Sequence, residues 1–203
     1  MTARRCGDCQ LCCRLLPTAE IAKPANERCP HQRHGVGCAI YADRPLSCRL
    51  WSCGWLTQED AASLPRPDRA HYVIDPMPDY ITITPDGGEP EDIPVIQVWV
   101  DPQHRDAHRA ESFRRWLDER RLPAIIRYNS KEGFVLFPPS VSNGHGWVEH
   151  RTGKVREQPS TLRQKAAALG GELVIDEGNG VRRATLTVGG TKFTIAAEGP
   201  DRG

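Results

Sequence analysis

Beyond Cys53 the chain has no cysteine, so whatever thiol chemistry it performs is confined to the first quarter of its 203 residues. It also lacks an excess of either charge: 27 basic against 26 acidic side chains leave a net +1. Such a balance provides no overall field to steer the protein toward nucleic acid or an anionic membrane, and neither partner is expected. Long apolar runs are missing too. Strings such as Val95-Ile96-Gln97-Val98-Trp99-Val100 are far too short to cross a bilayer. The start, Met-Thr-Ala-Arg-Arg-Cys, has no apolar stretch behind its basic pair. No secretory signal is therefore expected, and the reading is a reducing cytoplasm in which thiols stay free for metal. The sequence holds no GxSxG elbow, no phosphate-binding P-loop, no dinucleotide glycine fingerprint and no HExxH.

What the chain does have is a ladder of eight cysteines, Cys6, Cys9, Cys12, Cys13, Cys29, Cys38, Cys48 and Cys53. The opening run Cys-Gly-Asp-Cys-Gln-Leu-Cys-Cys places three thiols at steps of three, with a fourth directly after. That spacing turns several sulfurs toward one small volume, as a multi-thiolate metal site requires. All eight are candidate metal ligands. The segment around them is broken by Pro17, Pro24, Pro30, Gly35, Gly37 and Pro45 and has few large apolar side chains. It is short of core, and metal ligation would supply the missing folding energy.

Together with Cys29-Pro30, Gly37-Cys38-Ala39-Ile40-Tyr41, Arg44-Pro45-Leu46-Ser47-Cys48-Arg49 and Trp51-Ser52-Cys53-Gly54-Trp55, the CxxCxxCC run resembles the YkgJ-type cysteine-cluster family. The resemblance spans about residues 6–55. It implies a zinc- or iron-chelating domain, and it implies metal binding more firmly than any reaction. Some flagellin lysine methylases contain a similar segment, which by analogy raises a protein-modifying enzyme, or a subunit of one, as an alternative.

Several chemistries fit the ladder. Three cysteines at C-x2-C-x2-C are similar to the bacterial ferredoxin run, so an iron–sulfur cluster is one reading, though Cys13 directly after Cys12 departs from it. Zinc is the second, since eight thiols divide into two four-cysteine sites and Cys12 and Cys13 could feed one each. His31 and His34 could replace a sulfur or be plain loop histidines. Redox use of Cys6–Cys9 or Cys9–Cys12 lacks a preceding strand, and disulfides are disfavoured by the compartment. From Met1 to Trp55 eight basic side chains face four acidic ones, and eight thiolates would reverse that balance. Arg14, Arg44 and Arg49 are expected near the sulfurs, with Tyr41, Trp51 and Trp55 as cover. In the expected grouping Cys6, Cys9 and Cys12 are completed by Cys48, while Cys13 joins Cys29, Cys38 and Cys53.

The remaining chain reads as α+β with mainly antiparallel strands and one main helix. The expected organisation is a metal-binding module over 1–60, an α+β domain over 61–150, and a short helix plus β-meander with a frayed tail over 151–203. Strands are expected at Tyr72–Ile74, Tyr80–Thr84, Val95–Val100, Ala124–Tyr128 and Phe134–Phe137, with a turn at Pro85–Gly88. A helix is expected over His104–Arg121, capped by Asp106. Its mixed charges predict a solvated, ion-paired face. Phe113, Leu117, Val98, Ile125 and Phe134 are expected in the core. A short helix over Ser160–Leu169 precedes three strands, Glu172–Ile175, Val181–Val188 and Lys192–Ala196. Ser142–Trp147, with His145 between glycines, is the most polar loop outside the ladder, and a turn between strands explains it. The function expected is a metal-binding protein whose centre, iron–sulfur or zinc, is structural or passes electrons to a protein partner.

Overall fold

The computed structural model describes residues 4–83, 88–142 and 144–151, and the strand backbones of 172–178, 181–188 and 191–197. The expected helix Ser160–Leu169, the tip of the expected Pro85–Gly88 turn and the tail after Ala197 lie outside the described residues. The fold is α+β. Its centre is a five-stranded sheet in the order β3-β4-β5-β6-β7, built from β3 (Tyr72–Ile83), β4 (Glu91–Val100), β5 (Ala124–Arg127), β6 (Gly133–Phe137) and β7 (Val148–His150). Neighbours run antiparallel except β4 and β5, which are parallel and joined through helix α5 (Glu111–Arg120).

Strand β4 shows why the run from Val95 to Val100 is apolar with hardly a break: all six residues are buried. Alternate side chains of a strand point to opposite faces, so a strand buried throughout must be covered twice. One face, with Ile74, Val98 and Ile126, packs against Phe113, Trp116 and Leu117 of α5. Those three positions recur at the i, i+3, i+4 spacing of a helix stripe. Phe113, Leu117, Val98, Ile125 and Phe134 are buried as expected. Strand β3 is a single strand rather than two, and Pro76 and Pro78 fall where its register slips between Asp75 and Asp79. Prolines are tolerated there because β3 is an edge strand with a bulge.

The helix begins later than expected. Residues Pro102–His104 and Ala107–Arg109 form separate 3-10 turns, and Ala110, in extended backbone, precedes the helix proper. Asp106 therefore does not cap α5; its carbonyl accepts the Arg109 N–H at 2.8 Å. The ion-paired face is present: Arg115 meets Glu111 at 2.5 Å and Arg120 pairs with Asp60. Strand β7 has no signature in the sequence, being only three residues. Its Glu149 gathers Arg109 at 3.1 Å and Arg151 at 3.0 Å. Residues 172–197 supply a separate antiparallel meander, β8 (Glu172–Gly178), β9 (Val181–Val188) and β10 (Thr191–Ala197), as the alternation predicted. No helix among the described residues is long and apolar enough to cross a membrane.

The second face of the sheet is covered by the cysteine-bearing segment. It contributes α1 (Leu11–Leu15), the two-stranded hairpin β1 (Gln32–Arg33) and β2 (Gly37–Cys38), α2 (Leu46–Leu50) and α3 (Gly54–Thr57); α4 (Pro67–Ala70) leads into β3. Leu11, Leu15 and Cys53 pack with Val73 and Trp99, and Trp51 and Leu56 close the edges. The segment thus has more apolar anchorage than its composition suggested, because it borrows half its core from the sheet. Helix α3 sits so close to β3 that a Cβ on Gly54 would lie 2.7 Å from Ile74 Cγ2. Replacing Gly54 with Ala should therefore force α3 off the sheet and lower unfolding stability by about 1–3 kcal/mol, the usual cost of overpacking. Denaturant unfolding of the full chain measures this, and an unchanged midpoint would show that the contact is not tight.

Candidate metal centre

The first knuckle is a tight turn in which the Cys9 N–H donates to the Cys6 carbonyl at 3.0 Å. Gly7 occupies it with φ +54°, a conformation that suits glycine. Arg66 fastens the turn from outside, donating to the Cys6 carbonyl at 3.3 Å and pairing with Asp8 at 2.7 Å and Asp68 at 2.6 Å. Helix α1 then carries Cys12 and Cys13, and α3 begins from Cys53 at its N-cap.

The thiols lie close enough to influence one another's ionisation. Cys53, buried against the sheet, has Cys6 and Cys9 close enough to oppose its ionisation, and Cys12 feels both Cys53 and Cys6. Cys13 hydrogen-bonds Cys12 and lies close enough to oppose the ionisation of both Cys6 and Cys48. Its carbonyl accepts the Cys29 N–H at 3.2 Å. Cys48 lies 4.0 Å from Thr18 Oγ1. The expected grouping put Cys48 with Cys6, Cys9 and Cys12; the thiol that these three lie near is Cys53. The stiff Pro45 does precede α2, but α2 presents Cys48 beside Thr18 and Cys13, whereas α3 carries Cys53 down onto the sheet. Cys38 stands in β2 opposite Gln32.

Lys23 lies among these thiols. It is only 5% exposed, and its Nζ donates to the carbonyls of Arg14 at 3.1 Å, Leu16 at 2.5 Å and Pro24 at 3.0 Å. An ammonium group there satisfies carbonyls left open at the C-terminal end of α1 and complements the helix dipole. Burial pushes its pKa down, while Cys29, Cys13, Cys12 and Cys48 pull it back up. Lys23 is thus a counter-charge to thiolates, and no motif marked it as one. Of the expected arginines, Arg44 lies close enough to favour the thiolates of Cys6 and Cys13. Arg14 instead pairs with Asp101 at the end of β4. Trp51 donates to Asp75 at 2.9 Å and Trp55 to the Leu64 carbonyl at 2.9 Å, so both tie the segment to the sheet. Tyr41 is exposed, with the Arg44 guanidinium over its ring. His34 and His145 are exposed, and Ser142 Oγ donates to the Gly146 carbonyl at 2.6 Å.

Among the described residues no three cysteine sulfurs come within 4.8 Å of one another; the donors that do are His71, Asp101 and His104. Four thiolates around one zinc lie about 3.8 Å apart, as a Zn–S bond of about 2.3 Å requires. A single ion would have to draw the sulfurs inward, whereas a polynuclear centre fills a wider set. The donor chemistry, thiols from three chain segments with cations beside them, fits either. Comparison with protein-family models, with curated proteins and with solved structures finds no match to this chain in any of the three. The likeness of the cysteine motif therefore stands on the motif residues alone.

The adjacent pair Cys12–Cys13 shares a proton unequally. A hydrogen bond from the Cys12 thiol lowers Cys13 to about 7, against the opposing effect of burial and with help from Lys23 and Arg44. The same bond, and then burial, raises Cys12 well above the ordinary thiol value. Burial pushes Cys53 up to about 12. In reduced, metal-free protein Cys13 should be the first thiol alkylated at neutral pH, its rate rising as pH passes about 7, and Cys53 the last. Iodoacetamide mapping by mass spectrometry reads the order, and equal rates for the two would contradict this electrostatic arrangement.

Proposed function

We propose that the protein is a metal-binding protein in which Cys6, Cys9, Cys12 and Cys53 hold one sulfur-ligated centre against the sheet. The observation that carries this reading is the placing of Cys53. It is buried at the N-cap of α3, in an apolar cluster with Leu11, Leu15, Val73 and Trp99, and the thiols of the CxxCxxC run lie around it. A thiol pushed up to about 12 stays protonated at neutral pH unless a cation replaces the proton. Cys13, Cys29 and Cys48, gathered about Lys23, form the second set of donors.

The centre has a structural role, since it would join the first knuckle to α3 and thereby hold the segment on the sheet. Cys6 is exposed while Cys53 is buried, so the site reaches the surface on one side. That side is where a protein partner would exchange electrons with an iron–sulfur cluster. The C-x2-C-x2-C spacing of the first three cysteines supports a cluster, and zinc is the alternative occupant. Within the site the chain's own groups do three things: Arg66 and Asp8 fix the first turn, Arg44 offsets thiolate charge, and the apolar cluster excludes water from Cys53.

Protein purified without oxygen should contain stoichiometric metal, brown with acid-labile sulfide for a cluster and colourless for zinc. Cys53→Ser should lose the same metal fraction as Cys6→Ser, Cys9→Ser and Cys12→Ser, while Cys48→Ser should lose the fraction lost by Cys13→Ser and Cys29→Ser. Elemental analysis per chain reads both. Wild-type protein that holds no stoichiometric metal after anaerobic reconstitution would overturn the proposal.

A further inference from the structure

The end of the sheet that Arg14 reaches carries a set of donors without a thiol among them. Antiparallel pairing of Tyr72 with Val100 brings the residue before β3, His71, beside the residue after β4, Asp101. The Asp101 N–H donates to the His71 carbonyl at 2.9 Å. Asp101 Oδ1 then accepts the Gln103 N–H at 3.0 Å, capping the 3-10 turn that returns His104 over His71. The two imidazole centroids are 3.6 Å apart with planes inclined by 11°. A ring nitrogen of each histidine and a carboxylate oxygen of Asp101 lie within 4.8 Å of one another.

We propose that His71, Asp101 and His104 bind one divalent transition-metal ion, at a site separate from the cysteine ladder. Two imidazoles and one carboxylate suit zinc or iron(II), whereas magnesium and calcium prefer oxygen alone. Three features make this a built site. Asp101 is 2% exposed, and Arg14 and the Gln103 N–H hold its carboxylate in one orientation while leaving lone pairs over. Outer partners of this kind are what aim a ligating carboxylate. His71 is held at φ +58°, a strained position for a residue with a side chain, by its N–H to the Pro67 carbonyl at 2.8 Å and its carbonyl to Asp101. His71 and His104 also line a hollow of about 390 Å³, with Arg69, Tyr72 and Gln103, so the ion keeps open positions for water or a small ligand.

Face-to-face rings direct their lone pairs along parallel planes. Binding must therefore fan the imidazoles apart so that their nitrogens converge. His104 is exposed and can turn; His71 is fixed by its backbone.

The test uses the full chain equilibrated by dialysis against micromolar free zinc under reducing conditions, beside His104→Ala and His71→Asn. Asparagine tolerates the left-handed backbone but is too short to reach the ion. Each variant should hold one zinc fewer per chain than the wild type. With cobalt(II) in place of zinc, the variants should keep the thiolate charge-transfer absorption unchanged and lose one equivalent of ligand-field absorption. Zinc should also shift and separate the ring resonances of His71 and His104 in the wild type. Equal zinc content in the wild type and His104→Ala, whose side chain is exposed and whose loss leaves the fold alone, overturns the site. Failure of the cysteine centre would show differently, as a missing thiolate band in every protein.

Discussion

A strand buried on both faces needs a layer of protein on each, and β4 imposes that requirement on the whole chain. Helix α5 meets it on one side with Phe113, Trp116 and Leu117. On the other side cover comes from before β3, from the cysteine-bearing segment, with Leu11, Leu15 and Cys53 on Val73 and Trp99. The dependence runs both ways. Without the segment Trp99 faces water; without the sheet the segment has nothing to bury its few leucines against. A metal centre at Cys6, Cys9, Cys12 and Cys53 would act at this joint.

The covered face is not purely apolar, and its polar residues explain how the joint is aligned. Asp75, Gln97 and Arg127 are each 2–3% exposed. Gln97 donates to Asp79 at 2.6 Å, Asp75 accepts from Trp51 at 2.9 Å and from the Met77 N–H at 3.1 Å. Burial lowers Arg127 to about 10, and Asp79 and Asp75 pull it upward, so it keeps its charge at neutral pH. Buried charges cost several kcal/mol unless paired, so this patch favours cover that offers it polar partners. Trp51 of the segment is one such partner. Apolar contacts hold the two layers together, and the Trp51–Asp75 bond adds a polar tie between them.

These facts also mark what the sequence could reveal. Phe113, Leu117, Val98, Ile125 and Phe134 were legible because hydrophobic period alone fixes which face of a helix or strand turns inward. The start of α5 was not, since the residues from Pro102 to Arg109 form consecutive 3-10 turns that share the helix's composition but not its hydrogen bonds. The ladder itself was plain, yet the spatial arrangement of its thiols was not. That Cys53 lies near the first knuckle depends on α3 resting on the sheet, a contact between residues distant in sequence. The His71–Asp101–His104 set was hidden for the same reason: only the register of Tyr72 on Val100 brings its members together.

Helix α1 shows how so short an element can serve several sites. Successive residues of an α-helix point about 100° apart, and residues four apart share a face. Leu11 and Leu15 are four apart and both face the sheet, which fixes the rotation of the helix. The three residues between and beside them then have no choice of direction. Cys12 lies near Cys53 and Cys6, Cys13 near Cys12, Cys6 and Cys48, and Arg14 pairs with Asp101. Rotating the helix to improve one of these contacts would spoil the other two and lift the leucines off Val73 and Trp99. One helical turn, anchored by two leucines, thus brings two adjacent thiols among the others and, through Arg14, orients the carboxylate at the far end of β4.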